Sequence, residues 1–168
     1  LPGGFDYMVA PERNDDPMKG VSTYDLELIQ KHILGIEQLN SAYKLIAADV
    51  NDNGSISAVD LVELRKVILG VYNEFPANES WRFVDGEQQF EPGMTQPPAS
   101  YNETITYNEL STEEMETDFV GVKIGDVNAS ATANSLIGTE DRNFNGAVVL
   151  SIDDAAVRAG DEVTVAVK

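Results

Sequence analysis

Apolar residues recur at helical spacing in two places along the chain. Leu26, Ile29 and Ile33 form one stripe, and Leu61, Leu64 and Ile68 form another. Each stripe predicts a helix with a single apolar face. The two segments are near copies: Asp25 to Gly35 reads DLELIQKHILG, and Asp60 to Gly70 reads DLVELRKVILG. The offset is 35 residues, and six of the eleven positions are identical. Just upstream, Val21-Ser22 matches Ile56-Ser57. Self-similarity at a fixed spacing points to a duplicated unit whose two stripes pack on each other. Gly35 and Gly70 stand where a left-handed residue would end each helix. Between the copies, SAYKLIAA (Ser41 to Ala48) predicts a short connecting helix with Ser41 as N-cap.

Beyond Val71 the pattern dissolves. Pro76, Pro92, Pro97 and Pro98 predict a long irregular loop to about Tyr101, held down by Phe75, Trp81, Phe83 and Phe90. Glu103 to Leu110 has the makings of a short strand, and Ser111 to Glu114 resembles a capping box. Asp118 to Asn128 is apolar enough for a buried extended segment. Asn128 to Asn143 has linker composition, and Gly146 to Lys168 alternates at strand period, with Val163, Val165 and Val167 on one face. Two strands do not make a stable sheet, so this tail is expected to begin a β domain that continues elsewhere. The expected organisation is a preceding segment (1–12), a repeat pair (13–72), an irregular extension packed on it (73–130), a linker (131–143) and the first strands of a truncated β domain (144–168). The opening LPGGFDY, without a methionine, suggests a piece of a longer polypeptide.

Composition narrows the chemistry. A hydrophobic content of 42% supports a packed core, and no long apolar run predicts a membrane-crossing helix. With 11 Lys+Arg against 29 Asp+Glu and a net charge of −18, nucleic acid and anionic membranes are excluded as expected partners. There is no cysteine, and the single histidine, His32, lies in the first helix, where it is expected to be exposed. Metal chemistry is therefore restricted to oxygen ligands and hard cations. No Gly-rich phosphate loop, Ser–His–Asp set or His-based metal motif is present, so an enzyme is not expected.

One stretch concentrates such oxygens: DVNDNGSISAVD, Asp49 to Asp60. A twelve-residue calcium loop takes ligands at positions 1, 3, 5, 7 (a backbone carbonyl), 9 and 12, with glycine at 6. Here those positions hold Asp49, Asn51, Asn53, Ser55, Ser57 and Asp60, with Gly54 at the turn and Ile56 as the apolar anchor at position 8. Asp in place of Glu at position 12 is a shorter arm. The bland alternative, an Asn-Gly turn leading into a capped helix, needs only two or three of these groups.

The 35-residue offset places the first copy at Asn14 to Asp25, NDDPMKGVSTYD. Its ligands would be Asn14, Asp16, the carbonyls of Met18 and Gly20, Ser22 and Asp25. Lys19 replaces the turn glycine and Pro17 reshapes the loop, so this copy is degenerate, and a vestigial loop that merely caps its helix is the alternative. A third fragment, GDVNAS (Gly125 to Ser130), begins like such a loop and stops. It is either a simple turn or a source of Asp126 and Asn128 for a neighbouring ion.

A calcium loop followed by one helix, duplicated, with the non-helical PERNDD before the first loop, resembles a type I dockerin over Asn14 to Gly70. The segments NESWRFVD and DFVGVKIGDVNAS resemble the extension of dockerin-like segments in large secreted bacterial proteins, often type IX secretion cargo. LSIDDAAVRAGDEVTVAVK resembles the opening strands of a cohesin-like β-sandwich. The resemblance implies a mainly α, duplicated loop–helix (F-hand) module with two bound calcium ions, a secreted or cell-surface location, and docking to a cohesin-like domain in trans or in the same chain. Its recognition positions fall on Thr23, Tyr24 and Lys31 in one copy, and on Ala58, Val59, Arg65 and Lys66 in the other. The familiar Ser-Thr recognition pair is missing from both copies. Alternatively, the segment is the non-catalytic part of a secreted enzyme acting on polysaccharide.

Overall fold

The computed structural model describes residues 6–109 and 118–131. The chain divides into two units, Leu1–Asn134 and Ser135–Lys168. The expected capping box at Ser111 to Glu114, most of the expected linker and the expected cohesin-like strands lie outside the described residues.

Helices form where the repeat places them: α1 spans Thr23–Ile33, α2 Ala42–Ala48 and α3 Ala58–Ile68. α1 and α3 start alike. Ser22 and Ser57 each accept from a first-turn amide, while Asp25 and Asp60 reach back to the cap backbone, completing two capping boxes. They also end alike. The amide of Ile36 donates to the carbonyl of Lys31 and that of Gly35 to His32, as Val71 does to Lys66 and Gly70 to Val67. These are Schellman closures turning on glycines at φ +68° and +69°. Ser41 is the N-cap of α2, although its side chain makes no capping hydrogen bond.

α1 packs against α3, but the buried stripes run differently from the expected ones. The buried positions are Asp25, Ile29 and His32 in α1, and Asp60, Leu64 and Val67 in α3. Ile33 is exposed. The buried face is thus rotated toward the two aspartates, and polar residues on it hid its centre from a hydrophobic count. His32, expected to be exposed, is buried. Its Nδ1 accepts from the Leu39 amide at 3.1 Å, so Nε2 carries the proton and donates to the Thr95 carbonyl at 2.9 Å.

The expectation of a mainly α chain is not clearly borne out, because the described residues add two two-stranded antiparallel sheets. β1 (Tyr7–Val9) pairs with β3 (Ile105–Tyr107), and β2 (Trp81–Asp85) pairs with β4 (Phe119–Lys123) in the register Trp81↔Lys123 to Asp85↔Phe119. β2 forms inside the stretch expected to be an irregular loop. Trp81 and Val84 on β2 and Val122 on β4 are buried, and β4 packs on α2. An isolated two-stranded ribbon is marginal in water, so this one draws its stability from that apolar contact. The core gathers Ile29, Leu45, Val50, Leu64, Val67, Val84, Ile124 and Val127.

Candidate metal centre

The second loop is built by the end of α2 and the start of α3. Asp49, the C-cap of α2, is 4% exposed, and Asp60, in the first turn of α3, is fully buried. Asp49 Oδ1 accepts from the Asn53 amide at 3.1 Å and Oδ2 from the Gly54 amide at 2.8 Å. Asp60 Oδ1 accepts from the Asn51 amide at 3.3 Å, and Oδ2 from the Ser57 amide at 2.8 Å and hydroxyl at 3.2 Å. Gly54 adopts φ +79°, and Asp52 the left-handed φ +54°. The loop therefore curls so that its amides face its two carboxylates.

Electrostatically the site is short of positive charge. Burial raises the Asp49 carboxyl above its ordinary value, the Gly54 and Asn53 amides oppose that rise, and the charges of Asp60 and Asp52 reinforce it. Asn51 Oδ1 is buried with no hydrogen-bond partner. A buried amide oxygen left unpaired is costly. It belongs to position 3 of the loop, and a calcium ion, which takes carboxylate, amide and carbonyl oxygens together, would satisfy it. The donor chemistry fits that ion. Among the described residues no cluster of three or more His, Asp or Glu side chains forms a metal site. The second loop instead offers two carboxylates, Asp49 and Asp60, plus neutral oxygens.

The first loop is assembled differently. Asp25 is fully buried; its Oδ2 accepts from the Ser22 amide and hydroxyl, both at 2.9 Å. Its Oδ1 accepts from the amides of Val127 at 3.0 Å and Asn128 at 3.2 Å. The front residues of the expected loop go elsewhere. Asn14 Oδ1 accepts from the Ser80 amide at 2.8 Å, and the Met18 carbonyl from the Val21 amide at 3.0 Å. Asn14, Asp16 and Met18 are exposed. Of the six expected first-loop residues, the structure gathers Gly20, Ser22 and Asp25 with the GDVNAS fragment, and leaves Asn14, Asp16 and Met18 outside that group.

Residues from the extension support the second loop. Asn78 Nδ2 donates to the Asp49 carbonyl at 3.1 Å, and the Ile56 amide donates to Gln96 Oε1 at 2.7 Å. Arg82 makes a two-pronged pair with Glu103, at 2.6 and 2.8 Å, and reaches Asp52 at 3.4 Å. No sequence signal marked these side chains, because each acts from an irregular or short extended segment far along the chain. A cleft of about 370 Å³ opens beside the second loop, lined by Asp49, Asp52, Asn53, Arg82 and Tyr101 among others.

A family model described as the dockerin type I domain matches residues 19–69. This covers both loop–helix units from Lys19 onward and excludes Asn14, Asp16 and Met18. Comparisons with curated proteins and with solved structures return no match. This part of the chain is similar to the dockerin type I domain, a family of non-catalytic, calcium-dependent docking modules.

Proposed function

We propose that the chain is a calcium-stabilised docking or spacer module of a secreted or cell-surface multidomain protein, with a cohesin-like domain as its partner. The observation that carries this reading is the unpaired, buried Asn51 Oδ1 in a loop closed by two buried aspartates, within the stretch that matches the dockerin domain. In the second loop Asp49, Asn51, Asn53, the Ser55 carbonyl, Ser57 and Asp60 hold the ion. When bound, the ion supplies the positive charge that the converging carboxylates lack. The protein residues do the rest: their amides pre-shape the loop, and the capped α3 fixes Asp60.

Exposed apolar residues at equivalent positions of the two repeats support docking. Tyr24 and Val59 are 54% and 52% exposed, and Leu34 and Leu69 are 62% and 70% exposed. Exposed apolar patches mark interaction surfaces, and these residues recur at the same places in both repeats. Lys31 is engaged by Glu27 at 2.9 Å and Glu37 at 3.5 Å, and Lys66 by the Tyr72 hydroxyl at 3.1 Å. Lys31 and Lys66 are therefore less available than the apolar residues, Arg65 is exposed beside them, and the interface is expected to be led by Tyr24 and Val59.

The test is a binding titration of a cohesin domain against the calcium-loaded chain. Binding that disappears in chelator and weakens at least tenfold in the Tyr24→Asp, Val59→Asp double variant supports the reading. Binding indifferent to both overturns it.

A further inference from the structure

We propose that the first calcium site is a composite loop. Its front half comes from the far end of the module, through Asp126, Asn128 and Ser130, and its back half from the Gly20 carbonyl, Ser22 and Asp25. This rests on the calcium reading of the second loop and extends it to a ligand set that is not contiguous in sequence.

The inference comes from superimposing hydrogen-bond patterns. In the second loop, Asp49 accepts from the amides four and five residues on. Asp126 does the same: Oδ1 accepts from the Ser130 amide at 3.1 Å and Oδ2 from the Ala131 amide at 2.6 Å. The Asp49 amide donates to the Ile46 carbonyl, three residues back, and the Asp126 amide to that of Lys123. Three residues beyond each aspartate the chain is left-handed, at Asp52 (φ +54°) and Ala129 (φ +60°). Val50 and Val127, which follow the aspartates, are both fully buried. Asp126-Val127-Asn128 thus repeats Asp49-Val50-Asn51 in sequence and in conformation.

The back halves match as well. Gly20 to Asp25 is the repeat of Ser55 to Asp60, with Val21 and Ile56 buried at position 8 and the same serine–aspartate capping box. Most telling is the join between the halves. In the second loop the position-3 amide, that of Asn51, donates to the position-12 carboxylate, Asp60. In the first, the amide of Asn128 donates to Asp25, 103 positions away. The Ser130 hydroxyl donates to the Gly20 carbonyl at 2.9 Å across 110 positions, so the donors proposed for positions 5 and 7 already touch. In a contiguous loop, positions 6 and 7 are neighbours in the chain. Here Ala131 and Gly20 are neighbours in space: a Cβ built on Gly20, whose φ is +75°, would lie 2.5 Å from the Ala131 Cβ.

The donor set is the one calcium selects: two buried carboxylates, an amide, two hydroxyls and a carbonyl. Asp25 and Asp126, 0% and 5% exposed, are held by protein amides, as Asp49 and Asp60 are. An ion here would clasp the two ends of the module together, closing a long stretch of chain. A cross-link of that span removes much of the freedom of the unfolded chain.

Calcium titration of the full chain by calorimetry tests the assignment. Two binding events are expected in the wild type. Asp126→Ala should abolish one or weaken it at least tenfold. Asn128→Ala, which removes a side chain without a hydrogen bond among the described residues, should weaken the same event with little change in melting temperature in chelator. Asp16→Ala should leave both events intact, and Asp60→Ala should remove only the other. Loss of the first event in Asp16→Ala together with its survival in Asp126→Ala and Asn128→Ala would overturn the composite site. So would a single event in the wild type removed by Asp60→Ala. Absence of calcium binding in every form would instead overturn the calcium reading of the whole module.

Discussion

Asp25 and Val127 meet across 102 positions of sequence, the amide of Val127 donating to Asp25 Oδ1 at 3.0 Å. Asp25 also caps α1, so one buried carboxylate ties the first helix to the segment that follows β4. Replacing it removes the cap and leaves the Val127 and Asn128 amides without their acceptor. Asp25→Ala is expected to cost about 2–4 kcal/mol, combining a lost cap with unpaired buried donors. Denaturant unfolding in chelator measures this apart from any effect of the ion.

Gly125 of that segment lies tight against the core. Its φ is +85°, and an added Cβ would lie 2.5 Å from Leu64 Cδ1 and 3.2 Å from Val21 Cγ2. Gly125→Ala is expected to destabilise by about 2 kcal/mol or more, from left-handed strain and overpacking together. Thermal unfolding reads it, and an unchanged melting temperature would mean the segment is not seated against α3.

His32 straps the Thr95–Gln96 stretch to the end of α1, and Gln96 in turn holds the Ile56 amide at the second loop. His32→Ala should cost about 2–3 kcal/mol through a cavity and an unpaired Leu39 amide. Its local signature is faster proteolysis between Phe90 and Tyr101, checked by limited digestion of the calcium-loaded protein.

Lys123 is 4% exposed, with Nζ donating to the Pro17 carbonyl at 2.8 Å and lying 5.2 Å from the Phe75 ring centre. Burial lowers its ammonium to about 8, although Asp16, Asp126 and Asp15 oppose the shift. The folded state therefore holds fewer protons than the unfolded chain between about pH 8 and 10.5, and stability rises with pH across that window. The gain attributable to Lys123 is at most on the order of 3 kcal/mol. In calcium-free protein, wild type should gain stability relative to Lys123→Met as pH climbs from 8 toward 10.5. A constant difference would refute the assignment.

Much of the module could be read from the sequence because the duplication makes its own control. The capped starts, the terminal glycines and the oxygen spacing of Asp49 to Asp60 are local patterns, and local patterns survive in a one-dimensional reading. Three features did not. The buried faces of α1 and α3 centre on Asp25 and Asp60, and a hydrophobic count skips carboxylates. β2 is a short strand in a proline-rich stretch, and only its partner β4 makes it extended. A contiguous calcium loop places the front of the first loop immediately upstream of Gly20. The composite site proposed above draws that front half from Asp126 onward, through contacts that only the three-dimensional closure brings together. The half-loop GDVNAS was visible in sequence, but nothing local pointed to its partner.

The central claim is that calcium holds this module in shape, and thermal unfolding of the full chain with calcium and after exhaustive chelation tests it most directly. A ligand at one hundred times its dissociation constant stabilises by about 2.7 kcal/mol per site. The melting temperature should therefore rise with calcium concentration by several degrees or more, and in Asp60→Ala the rise should be markedly smaller. A melting temperature that stays the same in chelator and in saturating calcium would contradict the account.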